Sequence, residues 1–316
     1  MTGTSPIGAV VIGRNEGARL IACLTSLTDQ VEQIVYVDSG STDGSVHAAR
    51  DLGAKVVELD MSRPFTAARA RNAGLAQLNN CELVQFVDGD CIVEPGWIVA
   101  ASVFLHDNPK VAVVCGRRRE DHPQTSIYNR LCDHEWNTPV GEAKACGGDA
   151  MMRRNAVEAV AGYREDLIAG EEPELCLRLR REGWTIWRID QPMTRHDARM
   201  TRFSQWWQRC RRAGHAFAEG ADLHGRAPEH HWVAETRRAI TWGLFIPALI
   251  LFLSFTTPNA WLFLTLYPLQ VIRLHRHHGW LPALFLTLSK FPETQGILEY
   301  HLRKRFGTKR DLIEYK

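Results

Sequence analysis

The chain contains 316 residues, of which 45% are hydrophobic and 23% charged, a composition typical of a globular protein with one large or two smaller domains. Its net charge of +2 argues against the strong positive field of nucleic-acid binders, so we expect no nucleic-acid partner. Eight scattered cysteines without a Cys-x-x-Cys pair favour free thiols in a reducing compartment over a disulfide framework or a zinc site. Arg14 and Glu16 interrupt the first apolar run, so we also expect no secretory signal peptide.

The first part of the chain alternates between short β-type runs and helical segments bounded by turns. Runs rich in Val and Ile predict strands, and segments with helical spacing and polar caps predict helices. The predicted strands are 7–13, 31–40, 54–60 and 81–90, and the predicted helices are 16–30, 41–53 and 67–79. This alternation favours an α/β fold with a Rossmann-like, mostly parallel sheet that is covered by helices on both faces.

Acidic residues follow the predicted strands. Asp38, Asp60, Asp88 and Asp90 each stand at, or just beyond, the carboxyl end of a strand. Ligands of open α/β sheets bind outside these ends. We therefore expect the four carboxylates to line one binding rim.

The middle of the chain is less regular. Residues 111–119 and 184–190 read as strands, and 171–184 as an amphipathic helix. The segment 201–217 mixes Arg and Trp, as helices at a membrane surface do.

Residues 239–272 contain no Asp, Glu, Lys or Arg, which makes this stretch apolar enough for a membrane. A turn at 256–259 divides it into halves of roughly 17 residues, each ~25 Å long as a helix and slightly short of a ~30 Å hydrocarbon core. Cations on both flanks favour a hairpin with both ends cytoplasmic. A buried helical pair in a soluble domain is the alternative. The basic tail, 301–316, would lie beside the anionic leaflet.

The stretch "FVDGDC" contains two carboxylates, Asp88 and Asp90, at a spacing that suits a divalent cation, Mg²⁺ or Mn²⁺, with open positions for substrate phosphates. Its Asp-Gly pair is also a common hairpin turn. Asp38, in "VDSGSTDGS", could accept a hydrogen bond from a nucleobase or a ribose, or it could belong to an ordinary loop before a helix. The residues alone do not decide between a metal site and a turn at Asp88 and Asp90, or between a nucleotide contact and a loop at Asp38.

Later segments offer further candidates. Glu171 and Glu172 precede a helix, where they compensate the helix dipole or where one acts as a general base with a raised pKa. His196 is either a structural histidine or a third ligand beside the two acids. Gln205 and Arg209 could clamp a diphosphate.

Taken in order, the motifs resemble those of the family 2 glycosyltransferases, inverting enzymes with the GT-A nucleotide-sugar fold. The resemblance covers about residues 6–215 and rests on "VVIGRNEG", "VDSGSTDGS", "ARARNAG", "FVDGDC", "GGDAMMRR" and "AGEEPELCLRLRREGW". Two departures stand out. Glu172 occupies a position where an Asp is common, and "QWWQRC" lacks the Trp that follows the Arg in processive synthases.

The resemblance implies a role for each matching residue. The donor nucleotide would contact Asn15, Glu16, Asp38, Arg71, Asn72 and Asp88, with Asp88 toward the ribose. A divalent cation, Mn²⁺ or Mg²⁺, would be held by Asp90 and His196. The acceptor and the diphosphate would meet Gly148, Asp149, Gln205 and Arg209. Glu172, or its neighbour Glu171, would be the catalytic base.

The sequence thus predicts a GT-A catalytic domain at 1–220 and a membrane-associated helical region at 221–316. We expect transfer of a sugar from a nucleotide-diphosphate donor, with UDP as its nucleotide, to a lipid-linked or growing saccharide at the cytoplasmic membrane face. Two alternatives remain at this point: a sugar-phosphate nucleotidyltransferase, and a non-catalytic membrane scaffold that retains the fold.

Overall fold

The computed structural model describes residues 6–307, which form two compact units. The first unit contains the residues up to 125, 135–167 and 171–199. The second contains 126–134, 168–170 and the described residues from 200 onward. The predicted domain boundary at 220 falls within the helix Phe203–His224 and stays a prediction. Part of the predicted basic tail, 308–316, lies outside the described residues.

A nine-stranded sheet organises the described part of the first unit. Its strands are β1 (Ile7–Gly13), β2 (Gln33–Asp38), β3 (Lys55–Glu58), β4 (Leu83–Asp88), β5 (Cys91–Val93), β6 (Val111–Glu120), β7 (Gly141–Ala143), β8 (Ala150–Arg153) and β9 (Thr185–His196). The order is β3-β2-β1-β4-β8-β6-β9-β5, and β7 pairs with β9. The α/β class is confirmed, and the sheet is mixed.

The first four strands are parallel, as predicted, so their carboxyl ends meet at one edge. The register aligns Gly13 with Asp38 and Ile12 with Asp88, which places the two aspartates on either side of β1. Beyond β4 the sheet is mixed, because β6 and β9 are parallel while other pairs are antiparallel. There β8 is antiparallel to both β4 and β6, and β5 and β7 are antiparallel to β9.

Helices follow the strands wherever apolar residues recur at helical spacing. They are α1 (Ala18–Leu27), α2 (Ser45–Asp51), α3 (Ala67–Leu75), α4 (Trp97–Asp107), α5 (Ile127–Trp136), α6 (Arg154–Ala159), α7 (Glu171–Arg181), α8 (Phe203–His224), α9 (Val233–Ile240), α10 (Ile246–Ser254), α11 (Leu266–His278), α12 (Trp280–Leu288) and α13 (Lys290–Phe306). In α1, for example, Leu20, Leu24 and Leu27 are fully buried, and they pack into the core with the Val and Ile side chains of β1, β2 and β4.

The second unit contains a close crossing between α8 and α13. A Cβ added at Gly214 would lie 1.9 Å from the backbone oxygen of Glu293, and one added at Gly296 would lie 1.9 Å from that of Arg211. Only glycine allows two helix backbones to approach so closely. The crossing therefore depends on both glycines.

The predicted apolar hairpin is helical and is interrupted near the expected turn. Helix α9, a π-helical turn (Thr241–Phe245) and α10 form one continuous helix, Val233–Ser254. Its 22 residues are long and apolar enough to cross a membrane, judged by length and composition alone. After residues 255–259 the chain continues in a 3₁₀ segment (Ala260–Thr265) and α11. The described residues contain no second helix that meets the same criterion.

Candidate active site

Asp38 ends β2, and its buried carboxylate organises the loop that follows. Its Oδ1 accepts a hydrogen bond from the Tyr36 hydroxyl at 2.8 Å. Its Oδ2 accepts the backbone N–H groups of Gly40, at 2.9 Å, and Ser41, at 2.8 Å. The carboxylate thus holds the loop in shape, and any hydrogen bond to a nucleotide would use its remaining lone pairs.

Asn15 and Glu16 lie in the turn after β1. Asn15 has a positive φ of 55°, and its backbone N–H donates to Ser41 Oγ at 2.8 Å. Its side-chain Oδ1 accepts the backbone N–H of Thr42 at 2.7 Å. Glu16 forms an ion pair of 2.5 Å with Arg19. The turn after β1 and the loop after β2 are therefore joined into one rigid rim.

Arg71, on α3, is the centre of a buried ion cluster. Its Nη2 donates to Asp88 Oδ1 at 2.8 Å, and its Nη1 donates to Glu171 Oε1 at 2.8 Å and lies 3.1 Å from Glu172 Oε1. The side chain is only 2% exposed. Burial by itself lowers the pKa of Arg71, but the neighbouring carboxylates together raise it well above its usual value, so the guanidinium group stays charged. Three of the predicted acids are thus held by one guanidinium group.

The two glutamates at the start of α7 differ in their surroundings. Glu171 is almost fully buried, whereas the Glu172 side chain is 14% exposed. Burial, and next the charge of Glu171, raise the pKa of Glu172 to about 7, although Arg71 opposes the rise. A carboxylate with this pKa can take a proton near neutral pH, as a general base must.

Asp90 and His196 come together across 106 positions of the chain, because β5 pairs with β9 beside them. His196 Nε2 lies 3.1 Å from Asp90 Oδ2, and both side chains are buried. Burial, and next the charge of Arg118, lower the pKa of His196 to about 4, so its imidazole is neutral, as a metal ligand requires. Its Nδ1 is buried without a hydrogen-bond partner.

These two side chains fit a divalent cation. The ligand atoms of Asp90, Cys91 and His196 all lie within 4.8 Å of one another. Burial raises the pKa of the Cys91 thiol well above its usual value, which leaves the carboxylate and the imidazole as the natural ligands. Oxygen and imidazole ligands suit Mn²⁺ better than a thiol does.

Asp149 lies fully buried behind this group. Its Oδ1 accepts the backbone N–H of Asp88 at 3.1 Å, and its Oδ2 accepts the Thr194 hydroxyl at 2.8 Å. It therefore connects the ends of β4 and β9. A Cβ added at Gly148 would lie 2.7 Å from both Arg71 Nη2 and Asp88 Oδ2, so only glycine fits beside this ion pair.

Two residues that the sequence did not single out complete the site. The guanidinium of Arg118 lies 3.4 Å from Asp149 Oδ2 and 3.6 Å from Asp88 Oδ2, and it covers the ring of Trp136 at 4.8 Å. The same ring packs against His196, with 4.7 Å between centroids. The run of three arginines at 117–119, at the end of a predicted strand, was the available signal in the sequence.

Other predicted site residues form hydrogen bonds within the protein. Asn72 donates to the Tyr163 carbonyl at 2.8 Å and to Glu165 at 3.3 Å, and it accepts the Tyr163 N–H at 2.9 Å. It thus fixes the loop after α6. Gln205 and Arg209 lie on α8 of the second unit, where Gln205 Oε1 accepts the backbone N–H groups of Thr201 and Arg202, just before the helix. Their assignment to the acceptor or the diphosphate stays a prediction.

Comparison with known proteins identifies the fold and the family. Residues 9–160 match the family model described as Glycosyl transferase family 2. This part of the chain is a glycosyltransferase family 2 domain. The matched region holds Asp38, Arg71, Asp88, Asp90 and Asp149, and this glycosyltransferase domain continues past it into α7 and β9, which supply the glutamates and the histidine.

Two bacterial relatives align over more than half of this glycosyltransferase chain. An O-antigen chain rhamnosyltransferase of Salmonella anatum is 26% identical over 187 residues, covering 55% of this chain and 59% of that protein. A succinoglycan biosynthesis protein of Rhizobium meliloti is 27% identical over 225 residues, covering 66% of this chain and 68% of that protein. The chain therefore spans less than two thirds of the length of the rhamnosyltransferase.

A solved structure shares the fold over nearly the whole chain. It is a mannosyltransferase of Pyrobaculum calidifontis in complex with GDP-Man and Mn²⁺, with a TM-score of 0.66 and 18% identity. The similarity covers 98% of this chain and 89% of that one. The glycosyltransferase therefore has the GT-A fold.

Proposed function

We propose that this chain is an inverting glycosyltransferase that moves a sugar from a nucleotide-diphosphate donor to a hydroxyl of a lipid-linked or growing saccharide. The observation that carries the proposal is the Arg71 cluster. It joins Asp88, at a strand end, to the two glutamates that begin α7. One buried cation thus positions a donor-binding acid and a base of raised pKa within the same site.

The donor would lie along the carboxyl edge of the parallel strands. The rim built by Asn15, Glu16 and Asp38 supports the nucleotide, and Asp88 is available to the ribose because its side chain is 29% exposed. Asp90 and His196 would hold a divalent cation, which, when bound, would neutralise charge on the diphosphate leaving group. Arg118 adds a fixed positive charge on the same side.

Glu172 would act as the base. Its carboxylate takes the proton of the acceptor hydroxyl while that oxygen bonds to the anomeric carbon of the donor sugar. The bond from this carbon to the diphosphate oxygen breaks, and the nucleoside diphosphate leaves with the electron pair. Because attack occurs on the face opposite to the leaving group, the configuration at the anomeric carbon is inverted.

The relatives and the apolar helix support the proposed acceptor and location. The relatives are named for O-antigen and succinoglycan synthesis, which supports a role in cell-surface polysaccharide or glycolipid synthesis. The helix Val233–Ser254 supports attachment to a membrane. We propose the cytoplasmic face, since arginines flank the uncharged stretch on both sides.

A thermal-shift screen of UDP-, GDP- and dTDP-sugars, with and without Mn²⁺, tests donor binding, because a ligand that binds only the folded state raises the melting temperature. We expect a UDP-sugar to give the largest Mn²⁺-dependent shift. Asp90→Ala should abolish that shift, and Asp107→Ala, on the exposed end of α4, should not. Full activity of Asp90→Ala would refute the assignment.

Product formation tests catalysis separately. A scaffold that retains the fold would bind the donor and release no nucleoside diphosphate, whereas the enzyme should release it when metal is present. Glu172→Gln should lower transfer by about 10²–10⁴-fold while donor binding persists. Glu171→Gln serves as the comparison, and a larger loss from Glu171→Gln would transfer the role of base to that residue.

A further inference from the structure

The apolar stretch folds back on itself as a hairpin, which we define as residues 242–267. The Tyr267 hydroxyl donates to the Trp242 carbonyl at 2.7 Å, and the two rings pack with 5.8 Å between centroids. Tyr267 also stacks on Phe291 of α13, at 5.8 Å. These contacts mark the base of the hairpin, where it joins the rest of the second unit.

The hairpin exposes large apolar side chains from its base to its tip. Phe255, at the tip, is 81% exposed, and Phe252, Leu251 and Trp261 are exposed by 59% or more. A contiguous apolar surface of this kind on a folded unit marks a site of contact with a membrane or another protein.

Three hydroxyl groups of the hairpin are hydrogen-bonded to its own backbone. Ser254 donates to the Leu251 carbonyl at 2.6 Å, Thr256 to the Leu253 carbonyl at 3.3 Å, and Thr265 donates one turn back in the same way. In a lipid core, where water is absent, polar groups must find partners inside the protein. Each of these three hydroxyl groups meets that requirement within the hairpin itself.

Positive charge is concentrated at the base. Arg237 and Arg238 precede the hairpin, Arg273 and Arg276 follow it, and all four are exposed. No Asp, Glu, Lys or Arg occurs between the two pairs. Arginines beside an apolar insertion complement anionic headgroups, and the aromatic residues Trp242 and Tyr267 fit the interfacial layer.

The length of the hairpin decides how deep it can reach. From Trp242 to Ser254 the helix rises about 18 Å at ~1.5 Å per residue. The hydrocarbon core is about 30 Å thick, so one leaflet takes about half of it. The tip therefore reaches the middle of the bilayer, and the chain returns to the side from which it came.

We infer that residues 242–267 insert into a single leaflet of an anionic bilayer, without crossing it, and that the arginines at the base bind the headgroups. This inference rests on the membrane attachment within the proposed function. It is independent of sugar transfer, because vesicle binding is measured without donor or acceptor.

Flotation of the full chain with phosphatidylcholine vesicles, with and without phosphatidylglycerol, tests the surface. Phe255→Glu should weaken binding on the order of 100-fold, the effect of a charge placed in hydrocarbon. Val103→Glu, at an exposed apolar position of α4, is the matched control and should bind normally.

Arg237→Gln and Arg238→Gln should each weaken binding about five-fold on anionic vesicles only. Equal binding by all variants, or failure of the wild type to float while it self-associates through this face, would overturn the inference.

Depth is tested with Asn259→Cys at the tip, since the native cysteines are all buried. A membrane-impermeant maleimide should label this variant in the absence of vesicles and fail to label it once vesicles are bound. Reagent trapped inside the vesicles should also leave it unlabelled, whereas labelling from inside would show that the hairpin spans. Labelling from outside by bound protein would show that it does not insert. Asp107→Cys should react from outside in every case.

Discussion

Arg71 provides the sharpest test of the site, because it can be tested without any substrate. Replacement by Met keeps most of the side-chain volume and leaves Asp88, Glu171 and Glu172 without the cation that contacts them at 2.8, 2.8 and 3.1 Å. Removing one partner of a buried ion pair costs about 3–5 kcal/mol, since the remaining charge stays out of water. We expect Arg71→Met to lower the free energy of unfolding by this amount.

Arg50→Met is the matched control. Arg50 forms an ion pair of 2.6 Å with Glu58, shorter than any contact of Arg71, but both side chains are more than half exposed. Exposed pairs contribute about 0.2–1 kcal/mol, so the control should lose no more than that. Burial, and not distance, therefore determines the difference between the two variants.

Urea unfolding, followed by circular dichroism in a mild non-ionic detergent, measures both variants against the wild type. The difference should shrink at acid pH, where protonation removes the uncompensated negative charge left by Arg71→Met. Equal losses for Arg71→Met and Arg50→Met, or a loss that is the same at all pH values, would refute the argument from burial.

Three further predictions concern the same unit and the cysteines. Because the pKa of Glu172 is raised from 4.5 to about 7, the rate of transfer should fall as pH drops below about 7, which a pH–rate profile measures. Folding stability should fall as pH rises through about 7, because the native state holds a proton there that the unfolded state has already lost; unfolding curves at several pH values measure this. Glu172→Gln should remove both dependences. Gly148→Ala should impair donor binding by pushing Arg71 away from Asp88, while Gly44→Ala, whose added Cβ meets nothing within 4 Å, should be neutral in a thermal-shift titration. All eight cysteines are buried, so a thiol reagent should modify them slowly in the native protein and rapidly in urea, and fast reaction without urea would contradict the packing.

Local patterns were sufficient to predict the first four strands and their helices. The apolar runs that end in Asp38 and Asp88 are β2 and β4, and the run 7–13 is β1. Each prediction depended on neighbours in sequence, where side-chain periodicity carries the information. The acidic edge followed from the same reasoning, although Asp60 is exposed and bonds to Ser62.

Contacts between distant segments were harder to predict. Nothing local indicates that β8 enters the sheet antiparallel between β4 and β6, because strand direction depends on the path of the whole chain. The internal bonds of Asp38 and Asn72 were likewise invisible, since a side chain that holds a loop and one that binds a ligand look identical in sequence. Arg118 and Trp136 were missed because they meet only in the folded unit.

The pairing of Asp90 with His196 has a consequence for biosynthesis. The chain emerges from the ribosome in order, and the strands β1–β4 are complete long before β9 is made. A nascent chain that stops short of residue 196 holds the aspartate without its histidine, however well its early strands have formed. Only chains translated beyond residue 196 would therefore bind a cation through this pair. Stalled or truncated chains would lack the second ligand and would not bind the metal at this site.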